Sequence, residues 1–554
     1  MAEWLLRMDT LTYTLGVVAA GVFIATKWME PMSMVPPLIL GRQSDAGRTR
    51  QPGESAVYRN YGTGFMSTLL PARPHRDVQT INNLLKDEHS APRTLWGTSI
   101  TNAQLKERAT ALASGLLQAA NLTTRESRVL ILLNDSLEWL LTDLALGQLA
   151  VPSVFLAALD LLHDVLEQRT ASAIIVEASF LEQVLEVIAE ESELRRLIIV
   201  VVGEPPAEAH RSAQHIGVNL LSWQDVEARG RQNASEPVQV ESSTLLSICF
   251  HRAANNEIQA TQFTHENFTA GVVATHFLLP YQNALSPKDS VVSAFPLATP
   301  FGRSVLYSAL YNGASFTTVD SAKIVTTVEP PAKDLADILA AVESQKAPSP
   351  TVLVVTRQHL NSLTKSILSL LGGPLKPLAW RHKSVALAAG SLTNDTLFDR
   401  IVFDSARRAS LGQMGMTLRA VIVSGGQLDA ATLPASRIAL SVPIVNAFAY
   451  PLVAGPVFGS HPLDVQAFPA VAGDVLSDIQ HFGPPTTNIE VKLVNVSEEE
   501  GDKPVVGNLH IRGPAIGTAG LGELRPAASQ QWVNTYETAA VQTNGSFKIL
   551  PQNL

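Results

Sequence analysis

An alternation constrains this chain more than any other feature. Short apolar runs rich in β-branched residues recur from Val129 to Leu133, Ala173 to Val176, Leu197 to Val202, Thr351 to Val355 and Leu418 to Val423. Runs of that length without polar alternation read as strands covered on both faces, the kind that parallel sheets use. Stretches with helical spacing lie between them, from Asn102 to Gln118, Ser136 to Gly147, Phe180 to Glu191, Ala332 to Ser344 and Asp395 to Ser405. In the first of these, Leu105, Ala109, Leu112 and Leu116 share one face, and Thr101 or Asn102 is placed to cap it. Strand and helix in alternation predict an α/β architecture with two mostly parallel subdomains. The pattern changes near the end, where Ile489 to Val496 and Val505 to Arg512 read as antiparallel strands of a small barrel-like unit. The organisation expected is 1–28 apart from the rest, 29–94 a proline-rich linker and lead-in, 95–480 the α/β body and 481–554 a β-rich subdomain.

With 46% hydrophobic and 16% charged residues, the chain can fill a large core and is not a disordered polymer. Its formal net charge of −9 and the lack of a Lys/Arg cluster argue against nucleic acid as partner. The single cysteine, Cys249, excludes a disulfide framework and multi-cysteine metal sites. The thirteen histidines show no metal-ligand spacing.

From Thr10 to Thr26 no residue is charged. As a helix this stretch would span roughly 25 Å, close to the thinner hydrocarbon core of the endoplasmic reticulum, with Lys27 and Trp28 at the interface. It is expected to be a membrane anchor; the alternative is a cleaved signal peptide with small residues at Ala19, Ala20 and Gly21. Arg42, Arg48 and Arg50 follow, which places the body in the cytosol by the positive-inside rule. The endoplasmic reticulum is favoured over the mitochondrial outer membrane and the lipid droplet. The terminal Gln552, Asn553 and Leu554 are not a peroxisomal signal. On this topology, the seven Asn-x-Ser/Thr sequons (Asn121, Asn134, Asn233, Asn267, Asn394, Asn495 and Asn544) stay unmodified, and the chain shows no glycosidase-sensitive mass shift; such a shift would place the body in the lumen.

Six stretches, in order and at matching spacing, resemble the adenylate-forming superfamily, and within it the long-chain acyl-CoA synthetases. Thr264-His265-Glu266-Asn267-Phe268 resembles the THxN segment after the family's phosphate loop. The run from Phe295 through Pro296 and Leu297 to Gly302 and Arg303 resembles "LPLAH-F-R". Tyr311-Asn312-Gly313-Ala314 resembles "Y-GA". The run from Arg419 to Ser424, Gly425 and Gly426 resembles "R-SGGAPL". Gly483-Pro484-Pro485 with Glu490 to Val494 resembles "G-P-PN-E-KLVD", and Gly507 to Pro514 resembles "GEL-VRGP". Together they cover about residues 95–550. The resemblance implies a large synthetase/luciferase-type domain that activates a carboxylate with ATP and transfers it to coenzyme A.

That reaction needs a glycine-rich loop with a lysine, a Thr-Glu pair, a ribose-binding Asp and a mobile C-terminal domain. The loop pattern falls on Phe250 to Ala260, where its glycines become Ala253, Asn256 and Ala260 and its lysine Gln259. Glycine lets a backbone turn its N–H groups onto phosphate oxygens. Losing one charge-assisted hydrogen bond costs about 1.5–3 kcal/mol, and each missing transition-state donor lowers kcat by about 10²–10³-fold. Arg252 is the one cation nearby, and Glu257 adds a negative charge. The Thr-Glu pair becomes Pro451 and Leu452, and a leucine cannot ligate Mg²⁺. The adenine-stacking aromatic corresponds to Phe448. The "W-TGD" segment falls on Trp532 to Glu537, where Glu537 replaces the ribose-binding Asp and Tyr536 its glycine. The ribose-binding Arg falls on Gln552, and the chain stops at the family's hinge.

The degenerate nucleotide-binding positions are therefore Arg252, Gln259, Thr264, Ser424, Gly425, Gly426, Phe448, Thr535 and Glu537, with no catalytic residue and no metal ligand assigned. The leading expectation is a pseudoenzyme that binds a fatty acyl chain or a protein partner at a membrane, with no cofactor. A working long-chain ligase using Arg252, Phe448 and Glu537 in rebuilt roles is the alternative; it alone would need ATP, Mg²⁺ and coenzyme A. A decayed or truncated copy is the third reading.

Overall fold

A computed structural model describes residues 10–28, 32–63, 72–168, 171–190, 194–253, 256–280, 283–326, 329–465, 474–496, 504–522 and 531–551. Three sheets organise them. In the first, the parallel strands Ser153–Leu156, Val129–Leu132, Ala173–Glu177, Ile198–Val202 and Asn219–Ser222 follow one another from Leu245–Arg252 outward. On the other side of Leu245–Arg252, Ile258–Thr264 and Thr518–Ala519 complete this sheet antiparallel. In the second, Ile444–Ala449, Ala420–Ser424, Val352–Thr356, Ser290–Ser293, Ser315–Thr318 and Arg93–Leu95 run parallel. Antiparallel edges close it at Pro456–Gly459 and Thr98–Ile100. The third sheet is wholly antiparallel, in the order Asp45–Ala46, Tyr58–Arg59, Glu490–Val494, Val505–Arg512, Val533–Val541 and Phe547–Ile549.

All five β-branched runs form parallel strands, because the central residues of each are buried on both sides of a covered sheet. Asn102–Ala119 is a helix capped by Thr101, whose hydroxyl accepts from Gln104 N at 3.2 Å. The region from Asp395 to Ser405 is not one α-helix; a wider helical turn at Asp399–Phe403 leads into Asp404–Leu411.

The lead-in does more than connect. Its two-residue strands Asp45–Ala46 and Tyr58–Arg59 extend the third sheet, and Arg93–Leu95 extends the second. Strands this short carry no readable periodicity. One core joins the two parallel sheets, with helix Pro300–Tyr311 buried along its full length between them. Helix His265–His276 meets the chain after Tyr450 so closely that a Cβ on Gly271 would lie 1.3 Å from the Ala454 oxygen.

The segment expected as a membrane anchor forms helix Thr10–Trp28. Among the described residues, however, no helix is long and apolar enough to cross a membrane. Four threonines, Tyr13, two glycines and Lys27 dilute this one.

Candidate functional site

The three segments that the resemblance assigns to nucleotide binding do converge. Phe250, Gln259 and Ala260 from the first sheet line a cavity of about 590 Å³ together with Tyr450, Leu452, Leu521 and Tyr536. Around this cavity, every element departs from what a nucleotide needs.

The segment from Cys249 to Thr261 is a hairpin rather than an open loop. Cys249 pairs with Thr261, Phe250 with Ala260, His251 with Gln259 and Arg252 with Ile258. At the turn, Ala253 N donates to Glu257 O at 2.9 Å and Asn256 N to Ala253 O at 2.9 Å. The outer edges are covered as well. Ser153–Leu156 pairs with one strand as far as Phe250, and Thr518–Ala519 with the other. Gly520 N adds a bond to Ala260 O at 2.7 Å, and the Gln262 amide holds the carbonyls of Gly520 and Gly522 at 2.9 and 2.8 Å. Among the described residues, the amides of this segment are thus largely engaged in the ladder or the turn.

The hairpin's own cation is also committed. Arg252 donates from two guanidinium nitrogens to Asp160 Oδ2 at 2.9 and 2.7 Å, outside the cavity lining. Gln259 is the only predicted site residue that lines the cavity. Thr264 caps helix His265–His276, its hydroxyl accepting from Asn267 N at 3.3 Å while the Asn267 side chain returns to Thr264 N at 2.8 Å. Phe448 does not face the cavity but packs with Tyr450, Phe458 and Phe482. Thr535 is buried and donates to Leu509 O at 2.9 Å.

Glu537 is half-buried, and burial pushes its carboxyl above the ordinary range. Tyr536 holds a left-handed backbone conformation (φ 60°), a region that favours glycine, and is 67% exposed. At Ser424, Gly425 and Gly426, the two glycines take φ of 74° and 156°, and a Cβ on Gly425 would lie 3.3 Å from the Phe295 ring. Phe295 therefore covers that turn. Ser424 Oγ is buried and makes no hydrogen bond among the described residues.

Tyr450 is the residue the sequence reading missed. It occupies the variable position of the family's "YG-TE" motif, where no residue type is expected. Its hydroxyl donates to Thr535 O at 2.6 Å, tying the chain just after strand Ile444–Ala449 to the third sheet beside the cavity. Burial pushes this phenol up to about 12, and Glu537 adds to the shift. Segment 519–521 was missed too; only its pairing with the hairpin brings it here.

Among the described residues, the cavity wall carries no charged side chain. Among the described residues no group of His, Cys, Asp or Glu could hold a metal ion. These residues do not fit a magnesium-bound triphosphate, which needs cations, free amides and hard oxygen ligands. They suit an apolar or weakly polar occupant. A second titratable group lies beside the stretch from Phe295 to Arg303. Asp135 Oδ1 accepts from Leu297 N at 3.0 Å, and burial pushes this carboxyl up to about 7.

The profile of the AMP-binding enzyme family matches residues 87–519. Human long-chain-fatty-acid–CoA ligase 6 is 24% identical over 468 residues, which is 81% of this chain and 62% of that protein. Human long-chain-fatty-acid–CoA ligase 1 is 24% identical over 64% of this chain and 47% of its own length. The chain thus spans only about half to three fifths of these relatives. Among solved structures, the anthranilate CoA ligase AuaEII in complex with anthranoyl-AMP superimposes with a TM-score of 0.58 at 17% identity, covering 85% of this chain and 78% of that one. Fold, order of motifs and profile agree: the chain belongs to the AMP-binding enzyme family.

Proposed function

We propose that this protein is a long-chain acyl-CoA synthetase homologue that has given up ATP-dependent carboxylate activation. In this reading it binds an acyl chain or a protein partner at a membrane, held there through helix Thr10–Trp28, with its body in the cytosol and the endoplasmic reticulum as the favoured site. The observation that carries the reading is the hairpin from Leu245 to Thr264, whose amides bond to neighbouring strands where relatives would present them to phosphate. Arg252 paired to Asp160 and the uncharged cavity wall support it. The acyl-binding part draws support from a lining that, among the described residues, is uncharged and includes Phe250, Ile258, Leu452, Leu521 and Val533, and from the kinship with fatty-acid ligases.

The test is ATP–pyrophosphate exchange by the purified full chain with a panel of long-chain fatty acids. Exchange at the level of a mock preparation is expected. Exchange clearly above it, dependent on the fatty acid, would restore the ligase reading. Fatty acid co-purifying with the detergent-solubilised protein is the companion measurement; an empty protein would leave partner binding as the role.

A further inference from the structure

Helix Lys376–Ala388 is apolar on two sides. Ala379 and Leu387 are buried in the core beneath it. Leu378 and Val385 point the other way, 55% and 56% exposed. They stand seven residues apart, two helical turns, and so form one outward stripe that Leu375 extends.

A second apolar edge adjoins it. Leu397 and Ile401 are 68% and 53% exposed on either side of Phe398. The two edges are clamped together: the Phe398 ring lies 5.0 Å from the His382 ring, and buried Lys383 pairs with buried Asp399 at 2.5 Å. Large apolar side chains grouped in this way mark a surface that something covers.

The charges around the stripe oppose those of the chain as a whole. Between residues 370 and 401 the exposed charges are Lys376, Arg381 and Arg400 against Asp395 alone, in a protein of net charge −9. The N-terminal segment also leads here. Met34 N donates to Gly390 O at 3.0 Å, just beyond the end of this helix, and Leu392 N approaches Met34 Sδ at 3.2 Å. Helix Thr10–Trp28 ends four residues before Met32, so by chain length its end lies within about 14 Å of Met32.

From these observations we propose that the face built by Leu375, Leu378, Val385, Leu397 and Ile401 rests on an anionic lipid bilayer, with its apolar side chains in the headgroup boundary and Lys376, Arg381 and Arg400 on lipid phosphates. The proposal builds on membrane attachment through the N-terminal helix and adds a second contact. That helix is not long and apolar enough to cross a membrane, and durable attachment of a weak anchor takes a second, partly electrostatic signal. The basic rim favours a lipid surface over an acidic-rimmed protein partner, and the tether holds the face at the membrane.

Cys249 makes the test clean, because it is the sole cysteine and is buried, with burial pushing its thiol up to about 12. The full chain carrying Val385→Cys, Ile401→Cys, Glu208→Cys or Val18→Cys is spin-labelled and bound to vesicles of equimolar phosphatidylcholine and phosphatidylserine. At 385 and 401, the ratio of oxygen to nickel-chelate accessibility rises several-fold on vesicle binding; at 208, exposed on helix Ala207–Ile216 and not part of this face, it does not change. Vesicle-bound protein whose 385 and 401 labels stay as open to the chelate as in solution overturns the proposal, while a lipid-exposed label at 18 leaves helix attachment standing. If the label at 18 is also aqueous, both readings fall. Protection of 385 without vesicles, growing with protein concentration, identifies a second copy as the occupant and overturns the bilayer. Arg381→Glu with Arg400→Glu weakens binding several-fold on these vesicles and leaves binding to pure phosphatidylcholine unchanged; equal loss on both also counts against the proposal.

Discussion

Replacing Asp143 by alanine is expected to lower the urea midpoint of the protein by the equivalent of roughly 3–5 kcal/mol, the usual cost of leaving one member of a buried ion pair without its partner. Asp143, on helix Leu137–Gln148, is fully buried, and Arg303, on the central helix Pro300–Tyr311, is 2% exposed. Arg303 Nε donates to Asp143 Oδ2 at 3.0 Å and a second guanidinium nitrogen reaches Oδ1. The Tyr307 hydroxyl closes on the same carboxylate. The guanidinium lies 4.4 and 5.0 Å from the rings of Phe268 and Phe155, so no water is at hand to replace the lost carboxylate. The residues bridge the helices packed on the two parallel sheets, so the damage should reach both.

The pair itself need not be stabilising, since a buried pair often does no better than an apolar replacement. Asp143→Leu with Arg303→Met should therefore recover most of what Asp143→Ala loses. Asp87→Ala, which removes the partner of exposed Lys106, serves as the surface control at about 0–1 kcal/mol. An Asp143→Ala protein within about 1 kcal/mol of the wild type would mean that Arg303 finds another partner, and the bridge would lose its significance.

The same helix exposes the limits of the sequence reading. Arg303 was legible as part of a family motif, but its partner Asp143 lies 160 residues away on a helix to which no motif assigned a role. The five β-branched runs were legible because strands buried on both faces leave continuous apolar runs. The hairpin from Leu245 to Thr264 was not: the loss of glycine and lysine was plain, yet that the freed backbone would zip into a ladder depends on Thr518–Ala519, more than 250 residues on. Phe448 was assigned to the ligand by motif position, whereas its side chain is taken up by Phe458 and Phe482, on a strand and a loop the motif does not include. Local pattern fixed which residues lie inside; which of them face one cavity was set by long-range pairing.

His265 should cost the protein stability in acid from about pH 6.5 downward, above the range in which ordinary carboxylates protonate. The ring is fully buried. Its Nδ1 accepts from Ile81 N at 3.3 Å and its Nε2 has no hydrogen-bond partner among the described residues. Burial, and then the Arg303 charge, hold its pKa down at about 3, against an ordinary 6.5. Below pH 6.5 the unfolded chain takes up a proton here that the folded chain refuses, so the stability associated with neutral His265 is complete above pH 6.5 and drains away toward pH 3. Each pH unit in that window costs about 1.4 kcal/mol, so between pH 7.5 and 4.5 this residue alone removes about 3 kcal/mol. Asp289, Asp337 and Asp399 are held below the ordinary 3.8 by their Arg, His and Lys partners despite burial, and their contributions persist above that value. Within the window from 7.5 to 4.5 the raised carboxyl of Asp135, at about 7, and that of Glu537 act with the opposite sign, so it is the difference between a His265 variant and the wild type that isolates this ring.

His265→Asn keeps an acceptor near Ile81 N and removes the titration. A constant offset from the smaller side chain does not matter, because the quantity read is the change in the difference between variant and wild-type urea stability with pH. That difference should shift by about 3 kcal/mol in favour of the variant between pH 7.5 and 4.5. Parallel stability curves across the window would show that folded His265 takes up its proton normally, and that the centre between the two sheets admits water.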